Sequence, residues 1–452
     1  MKVLLIEGYT MIDQPPIFPL GLCYLAAVLP NHDIAICDLN TIERPFEGME
    51  TKIREWNPDV IGISLRNIKV ATPEKHATCL EPHINTIKLI KRICPKIPLF
   101  AGGAAFSFYA EAIMRRVPEI DFGVFGEGEV PFPKLLYNLD TPQKVGSIYY
   151  RENDSIIFTG RIDFQDFDKL PPPRRDLVDI KNYCNEKYIY SVGIQTKRGC
   201  ALNCIHCSDK YLVGNKFRLR SPKSVVDELE YLENKCHVNR VFFADQIFNA
   251  PKEHAEEICR EMIRRKVKLE WTAWFNEKYI TGDFVALIKE AGCKYMEFSP
   301  DAASDKSLKN LHKNLTESDL NRTCQVIKKY DIEVSYNFML NAPGDNLLDL
   351  LKLIRFIIKV KIALRGKLKI HGLFLVLMRI YPHSELQQLA IKEGIISDKD
   401  DLIEPVFYNP KPLGYVANFM IFSLKSIWRL KHRLENLLKL EQYNLININK
   451  MR

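Results

Sequence analysis

Residues Ser191–Ser208 read SVGIQTKRGCALNCIHCS. The first six of these residues, Ser191–Thr196, are predicted to form a β-strand. Three cysteines follow almost at once, at positions Cys200, Cys204 and Cys207, in a CxxxCxxC pattern. The whole chain has 12 cysteines in 452 residues, so three within eight positions form a cluster. We therefore take this loop as the first candidate site, the alternative being three unrelated buried thiols.

Clustered cysteines in a reducing compartment bind metal more often than they form disulfides. A structural zinc ion needs four protein ligands, usually on paired knuckles, and the sequence has no second CxxC. His206 stands between two of the cysteines and is poorly placed to be a fourth ligand. Three thiolates on one tight loop suit a [4Fe–4S] cluster with one iron left free of protein ligands. A small bidentate molecule can bind that open iron and receive an electron. A zinc site is the alternative interpretation of these cysteines.

The strand before the cysteines begins a series of six strand–helix units in residues 190–390. The predicted strands are Ser191–Thr196, Arg240–Ala244, Glu270–Trp274, Tyr295–Ser299, Val334–Leu340 and Leu368–Leu377. The predicted helices are Ser221–Glu233, Lys252–Lys266, Thr281–Ala291, Glu317–Tyr330 and Asn346–Ala363. Six such units predict a partial parallel (β/α)6 barrel of the TIM type, with its site at the carboxyl ends of the strands. Three residues near the last strand, His371, Tyr381 and His383, are candidate substrate contacts, although a structural role is commoner for a histidine.

Residues 1–145 also alternate strand and helix signals, which predicts an α/β domain with a doubly wound, Rossmann-like sheet. The predicted strands are Lys2–Glu7, Asp33–Asn40, Asp59–Asn67, Pro98–Gly103 and Phe122–Gly126, and the named helices are Leu20–Leu29, Pro82–Cys94 and Ala110–Val117. The strands end in polar or glycine-rich loops, where such sheets bind ligands. Glycine there lets the backbone approach a bulky ligand, although glycine also marks ordinary turns.

The rest of the chain connects and extends these two domains. Residues 146–189 are predicted to be a linker, because Pro171–Pro173 cannot lie in a helix or a central strand. Residues 391–452 are predicted to form a helical extension. Within it, Asn418–Leu440 has a basic amphipathic pattern. Packing on the barrel is the favoured interpretation of that pattern, and peripheral contact with an anionic membrane is the alternative.

Composition excludes several classes of protein. Hydrophobic residues make up 46% and charged residues 27%, which excludes a disordered chain, a collagen and a polytopic membrane protein. Of the net charge of +8, +6 falls in Lys411–Arg452, where eight basic residues and two glutamates lie. The remaining +2 argues against a nucleic-acid-binding body. No signal peptide and no apolar run long enough to span a bilayer is found, so we expect a cytoplasmic protein.

The cysteine loop, placed after the first strand of a six-strand domain, resembles the radical S-adenosylmethionine (SAM) superfamily. Further segments resemble one branch of it, namely Gly214–Pro222, Phe243–Asn249 and Ala342–Asp345. The first domain resembles the cobalamin-binding domain of that branch in Pro15–Gly21, Gly102–Gly103 and Gly126–Glu129. The resemblance covers about residues 1–390.

The resemblance implies specific site residues. Cys200, Cys204 and Cys207 would hold the [4Fe–4S] cluster, and SAM would chelate the open iron and be cleaved to a 5′-deoxyadenosyl radical. The implied SAM contacts are Asp245, Ser299, Asp301 and Asn341. The implied cobalamin contacts are Ser64, Leu65, Gly102, Gly103, Gly126 and Glu127.

The sequence departs from the family pattern at three points. The Asp-x-His-x-x-Gly motif of many free-standing cobalamin domains is absent near Glu7–Gly21, which implies cobalt without a protein histidine below it. Gln246 stands where a second acidic residue often follows the second barrel strand. Ser299-Pro300-Asp301 stands where relatives often have a glutamate, and Asp301 is the implied contact there to the ribose or amino group of SAM.

The resemblance also implies a reaction. The commonest chemistry of this branch is methylation of an unactivated carbon: one SAM methylates reduced cobalamin, and a second supplies the radical that takes hydrogen from the substrate. A non-methylating radical enzyme that performs cyclisation, ring rearrangement or oxidation is the first alternative. An iron–sulfur sensor or electron-transfer protein is the second. We expect a small-molecule or lipid-like substrate, a ferredoxin or flavodoxin as reductant, and no nucleic acid.

Overall fold

The computed structural model describes residues 1–10, 15–66, 80–184, 192–423 and 426, with backbone alone at 369–371. Within these residues the chain forms two seven-stranded sheets and one two-stranded sheet. No helix in the described ranges is long and apolar enough to cross a membrane. The two large sheets correspond to the two predicted α/β regions.

The first sheet is doubly wound, as predicted. From one edge to the other its strands are Asp33–Asp38, Lys2–Glu7, Val60–Ser64, Leu99–Gly102, Phe122–Val124, Ile148–Glu152 and Ser155–Phe158. The first five pair in parallel, and the last two form an antiparallel hairpin at the edge. Because strand Lys2–Glu7 lies between the second and third strands of the chain, the direction of winding reverses beside it. Ligands bind at such a reversal, outside the carboxyl ends of the strands.

Helices cover this sheet on both faces, which is why its central strands are almost continuously apolar and buried. The helices are Leu20–Ala27, Pro45–Trp56, Leu80–Ile93, Ala104–Phe108, Ala110–Arg116 and Pro131–Leu136. Pro45–Trp56 is not among the predicted helices. It buries only Met49 and Ile53, so its sequence has too few apolar residues at helical spacing to predict a helix. Asn67, the predicted end of one strand, lies outside the described residues.

The second sheet has the strand order of a partial barrel. From edge to edge its strands are Gly193–Ile194, Arg240–Phe243, Glu270–Phe275, Cys293–Asp301, Glu333–Leu340, Leu368–Arg379 and Phe407–Tyr408. Neighbouring strands are parallel except for the last, which is antiparallel. The helices are Asp209–Val213, Pro222–Asn234, Lys252–Arg265, Gly282–Glu290, Asp305–Asn310, Glu317–Lys328, Leu347–Ala363 and Glu385–Lys392. Six parallel strands therefore present their carboxyl ends on one side, as a barrel site requires.

The predicted linker packs between the domains. Arg175 is buried and donates to Glu228 of the barrel, with Nη2 at 2.6 Å from Oε1. Tyr183 donates from its hydroxyl to Asp38 of the first sheet at 2.6 Å. Pro171–Pro173 lies in irregular chain just before Arg175. This segment therefore fixes one domain against the other, and its boundaries at 146 and 189 remain a prediction.

The C-terminal extension is less uniformly helical than predicted. It contains strand Phe407–Tyr408, which adds to the barrel sheet, and then a helix over 413–423. That helix leaves Phe419 and Phe422 about two-thirds exposed, at 70% and 67%. Most of the amphipathic stretch Asn418–Leu440 lies outside the described residues, so the membrane contact stays a prediction.

Candidate functional site

The cysteine loop lies between strand Lys197–Arg198 and helix Asp209–Val213. Backbone hydrogen bonds hold its middle from both sides. Ile205 donates its N–H to the carbonyl of Leu311 at 3.2 Å, and its own carbonyl accepts from Leu386 at 2.8 Å. Because two distant segments fix one residue, the three thiols between positions 200 and 207 have a defined place at the barrel mouth.

A substitution at Gly199 tests whether the backbone at this position holds the cysteines in place. Its φ is +84°, and an added Cβ would lie 2.0 Å from the backbone oxygen of Lys216. The left-handed backbone alone costs a non-glycine residue about 1–2 kcal/mol, and the clash adds to that. We expect Gly199→Ala to displace the cysteines and to lower the iron bound after anaerobic reconstitution, measured per chain.

Gly160→Ala is the matched control for this substitution. Its φ is +85°, and nothing lies within 4 Å of an added Cβ. It therefore carries the same conformational cost without the clash. Equal iron content in the two variants would show that the close approach at Gly199 does not position the cysteines.

The donor chemistry of the loop fits an iron–sulfur cluster. Burial raises the pKa of the Cys200 thiol to about 11 and also raises the pKa values of Cys204 and Cys207. A metal would supply the positive charge that favours thiolates there. Among the described residues, no three His, Cys, Asp or Glu side chains converge as a single metal ion requires. A four-iron cluster does not need such convergence, because it binds each thiolate through a different iron.

A buried charged group lies directly behind the loop. Asp301 ends strand Cys293–Asp301 and accepts from Lys313 Nζ and from Ser299 Oγ, each at 2.6 Å. Nε2 of His206 is 3.4 Å from Oδ2 of Asp301. Burial is the largest single effect and would raise the pKa of Asp301, but the charge of Lys313, the neighbouring His206 and the hydrogen bonds from Lys313 and Ser299 together hold that pKa below its usual range. The predicted SAM contacts Ser299 and Asp301 are thus brought to the loop, and sequence reasoning missed Lys313 as their partner.

Asp245 and Asn341 are also brought to the barrel mouth, but their polar groups already have partners. Asp245 accepts from the N–H and the hydroxyl of Thr196, at 2.8 and 2.5 Å, and so fixes the chain just before the cysteine loop. Asn341 donates to Asn409 Oδ1 at 2.8 Å and to the carbonyl of Pro410 at 2.9 Å. The structure gives both residues positioning contacts, and a SAM contact stays a prediction for each.

A cavity of about 670 Å³ lies between the carboxyl edge of the first sheet and the barrel mouth. It falls in the range of roughly 300–1,000 Å³ typical of small-molecule sites. Five of the six predicted cobalamin residues line it, namely Ser64, Gly102, Gly103, Gly126 and Glu127. The barrel side contributes Gln195, Phe242, Ala244 and Trp274. The described residues that line this cavity include no histidine.

The sixth predicted residue, Leu65, does not line the cavity. Its side chain is fully buried in the core, and its N–H donates to the Gly102 carbonyl at 2.8 Å. Neighbouring side chains of an extended chain point to opposite faces, so the Ser64 side chain faces the cavity while the Leu65 side chain faces the core. Gly103 has a φ of +95°, and an added Cβ would lie 2.8 Å from the Leu65 oxygen. Leu65 therefore supports the loop through its backbone, and a cobalamin contact stays a prediction for it.

Ion pairs across the domains close one side of this cavity. Glu127 Oε2 is 2.9 Å from Nη1 of Arg218 and 3.4 Å from Nη1 of Arg198. Glu129 Oε1 is 2.6 Å from Nη2 of Arg198. The carboxylate of Glu127 thus joins the glycine loop to the cysteine-bearing domain.

Glu7 and Arg66 are a second pair on the cavity that the sequence did not reveal. Glu7 ends the first strand and is buried, which raises its carboxyl pKa to about 7. The guanidinium of Arg66, with Nε at 3.3 Å, acts against that rise. The one feature of the sequence that points to these two residues is that each lies at the carboxyl end of one of two neighbouring strands.

Comparison with known families agrees with this geometry. Residues 14–136 match the family described as B12 binding domain, and residues 194–357 match the Radical SAM superfamily. An uncharacterized methyltransferase of Pyrococcus horikoshii is 26% identical over 84% of this chain and 79% of its own length. An anaerobic magnesium-protoporphyrin IX monomethyl ester cyclase of Cereibacter sphaeroides is 25% identical over 73% of this chain and 54% of its own length.

A solved structure shares the fold. The radical SAM methyltransferase TsrM from Kitasatospora setae, solved with cobalamin and a [4Fe–4S] cluster, superposes with a TM-score of 0.74. The match covers 87% of this chain and 78% of that chain at 19% sequence identity. The arrangement of a Rossmann-like domain before a partial barrel is therefore shared with that protein.

Proposed function

We propose that this chain, which belongs to the radical SAM enzymes that carry an N-terminal B12 binding domain, methylates an unactivated carbon of a small-molecule substrate. The observation that carries the proposal is the cavity of about 670 Å³, because both domains line it. A cofactor in that cavity would face the cysteine-bearing barrel directly. An enzyme that must bring two cofactors and one carbon together needs such a shared gap.

The residues of the chain would hold the cofactors and exclude water. Cys200, Cys204 and Cys207 would bind the cluster, and the glycines at the sheet edge would let a flat, bulky cofactor approach the backbone. When bound, the cluster with SAM supplies a carbon-centred radical and cobalamin supplies methyl-transfer chemistry. The ion pairs of Arg198 with the glycine loop would keep the gap closed.

Two relatives point to different chemistry. The Pyrococcus protein is named a methyltransferase and matches most of both chains. The Cereibacter protein is named a cyclase and matches only about half of its own length. The fuller match supports methylation, and a cyclisation without methyl transfer is the second candidate.

These candidates differ in what they release from SAM. The full chain would be reconstituted anaerobically with iron, sulfide and hydroxocobalamin, desalted, reduced, and given SAM without any substrate. A methylating enzyme should form S-adenosylhomocysteine in an amount matching the bound cobalamin, whereas omission of cobalamin should abolish it. Liquid chromatography with mass spectrometry separates this product from 5′-deoxyadenosine. Formation of 5′-deoxyadenosine with no S-adenosylhomocysteine would reject methylation and favour the cyclase-like alternative.

A further inference from the structure

Helix Leu347–Ala363 carries apolar residues on its solvent side as well as on its core side. The core side buries four of them, namely Leu350, Leu353, Phe356 and Val360. On the solvent side four others are each more than half exposed, namely Leu347, Leu351, Ile358 and Ile362. Their spacings are four, seven and four residues, so they lie along one line of the helix. Surface helices normally have polar residues there, so an apolar line marks a surface that binds another body.

Basic side chains flank this apolar line, namely Lys352, Arg355, Lys359 and Lys361. We call the four exposed apolar residues and these four basic residues the outer face. The single acidic residue of the helix, Asp349, is buried and accepts from Ser304 Oγ at 2.8 Å. Lys352 has Glu317 as a partner at 2.7 Å, whereas Arg355 and Lys361 make no ion pair in the described part of the chain. The outer face is therefore both apolar and positively charged.

A second helix with exposed apolar residues begins close to the outer face. This helix, residues 413–423, leaves Tyr415, Phe419 and Phe422 exposed at spacings of four and three residues. Just before it, Asn409 and Pro410 accept hydrogen bonds from Asn341, which precedes the first helix. Two exposed apolar helix faces therefore start from the same part of the barrel.

The charge of the outer face decides which partner fits it. A second copy of the chain docked through a two-fold contact would bring this basic face against itself, and like charges brought together cost binding energy. An anionic lipid bilayer instead offers acyl chains to the apolar line and negative headgroups to the lysines and arginines beside it. Long basic side chains can reach such headgroups while the apolar residues between them enter the bilayer surface.

We propose that the outer face of helix Leu347–Ala363 binds the surface of an anionic lipid bilayer. The helix would lie in the plane of that surface, because its core side is buried in the barrel. This contact is separate from the one that the sequence predicts for Asn418–Leu440. It needs neither cofactor, so it is independent of the proposed methyl transfer.

The test measures binding of the full chain to lipid vesicles by flotation. One set of vesicles is phosphatidylcholine alone, and the other is phosphatidylcholine and phosphatidylglycerol in equal parts. The chain is expected to bind the anionic vesicles at least about tenfold more tightly. Ile362→Glu should weaken that binding at least about tenfold, because it puts a negative charge where an apolar side chain enters the bilayer. Replacing Arg355 and Lys361 together with glutamine should weaken it about tenfold without changing binding to phosphatidylcholine.

Tyr137→Glu is the matched control for Ile362→Glu. Tyr137 lies in the first domain and is 69% exposed, against 73% for Ile362. The two substitutions therefore make the same change of charge at comparably exposed apolar residues. Tyr137→Glu should bind anionic vesicles as the unaltered chain does. Because neither residue is buried, both variants should also keep the thermal unfolding of the unaltered chain.

Three results would overturn the proposal. Undiminished binding of Ile362→Glu to anionic vesicles would place any membrane contact outside this face. Equal affinity for the two kinds of vesicle would show that anionic lipid is not the partner. A dimer seen by light scattering in the unaltered chain and lost in Ile362→Glu would assign the face to a second copy. None of these readouts involves SAM, so failure of the proposed function would be seen separately in the S-adenosylhomocysteine assay.

Discussion

Replacing any one of Cys200, Cys204 or Cys207 with alanine is expected to abolish both cluster binding and SAM cleavage. Each thiolate would bind a different iron, so two remaining ligands cannot hold a four-iron cluster on this loop. Iron should fall from about four per chain to near zero after reconstitution, and 5′-deoxyadenosine should fall to background. Iron analysis, visible absorbance and chromatography of the SAM products give these quantities.

Cys184→Ala is the matched control, because Cys184 is an exposed free thiol outside the loop. It should retain iron and SAM cleavage at the level of the unaltered chain. Thermal unfolding of the unreconstituted proteins would show that the loop variants still fold. SAM cleavage that survives in any loop variant would refute the assignment of that cysteine.

The second large effect is expected from filling the cavity between the domains. Gly102 ends strand Leu99–Gly102 and lines the cavity, and an added Cβ would meet only the oxygen and the Cβ of Val124, at 3.6 and 3.7 Å. Those are ordinary contacts, so Gly102→Ala should fold and bind cobalamin. Gly102→Leu adds a branched side chain on the cavity wall and should reduce bound cobalt by at least about tenfold, because a bulky ligand and the side chain compete for one space.

The pair of Gly102 variants separates cofactor exclusion from misfolding. Gly102→Leu should keep the iron content of the unaltered chain and still form 5′-deoxyadenosine, while losing S-adenosylhomocysteine formation. Cobalt and iron would be measured on the same desalted sample. Undiminished cobalt in Gly102→Leu would mean that cobalamin does not occupy this cavity.

The parts of the fold that were predictable from sequence are those with a strong local signal. Strand Lys2–Glu7 has the bounds predicted for it, because a continuous apolar run between polar ends leaves little choice of register. Helix Leu347–Ala363 begins one residue after its predicted start, since Asn346 forms a capping box with Asp349. Helix Pro45–Trp56 was missed because only two of its 12 residues are buried. The CxxxCxxC loop is likewise local, so its candidate ligands could be named from spacing.

The contacts that shape the candidate site are not local. Arg379 and Tyr109 are 270 residues apart, and no sequence pattern links them. Lys313 reaches Asp301 across a helix, and its role is visible only once both are seen to be buried. The resemblance implied both Ser64 and Leu65 as cobalamin contacts, but the alternation of an extended chain puts their side chains on opposite faces. Sequence could therefore locate the strand ends, and folding decided which side chains face the gap.

The most direct test of the whole account is a metal count on the unaltered full chain. The protein would be reconstituted anaerobically with iron and sulfide, mixed with hydroxocobalamin, desalted, and analysed for iron, cobalt and its ultraviolet–visible spectrum. The account predicts about four irons and about one cobalt retained per chain, with the spectra of both cofactors. Four irons without cobalt would contradict the assignment of the large cavity, and cobalt without iron would contradict that of the cysteine loop.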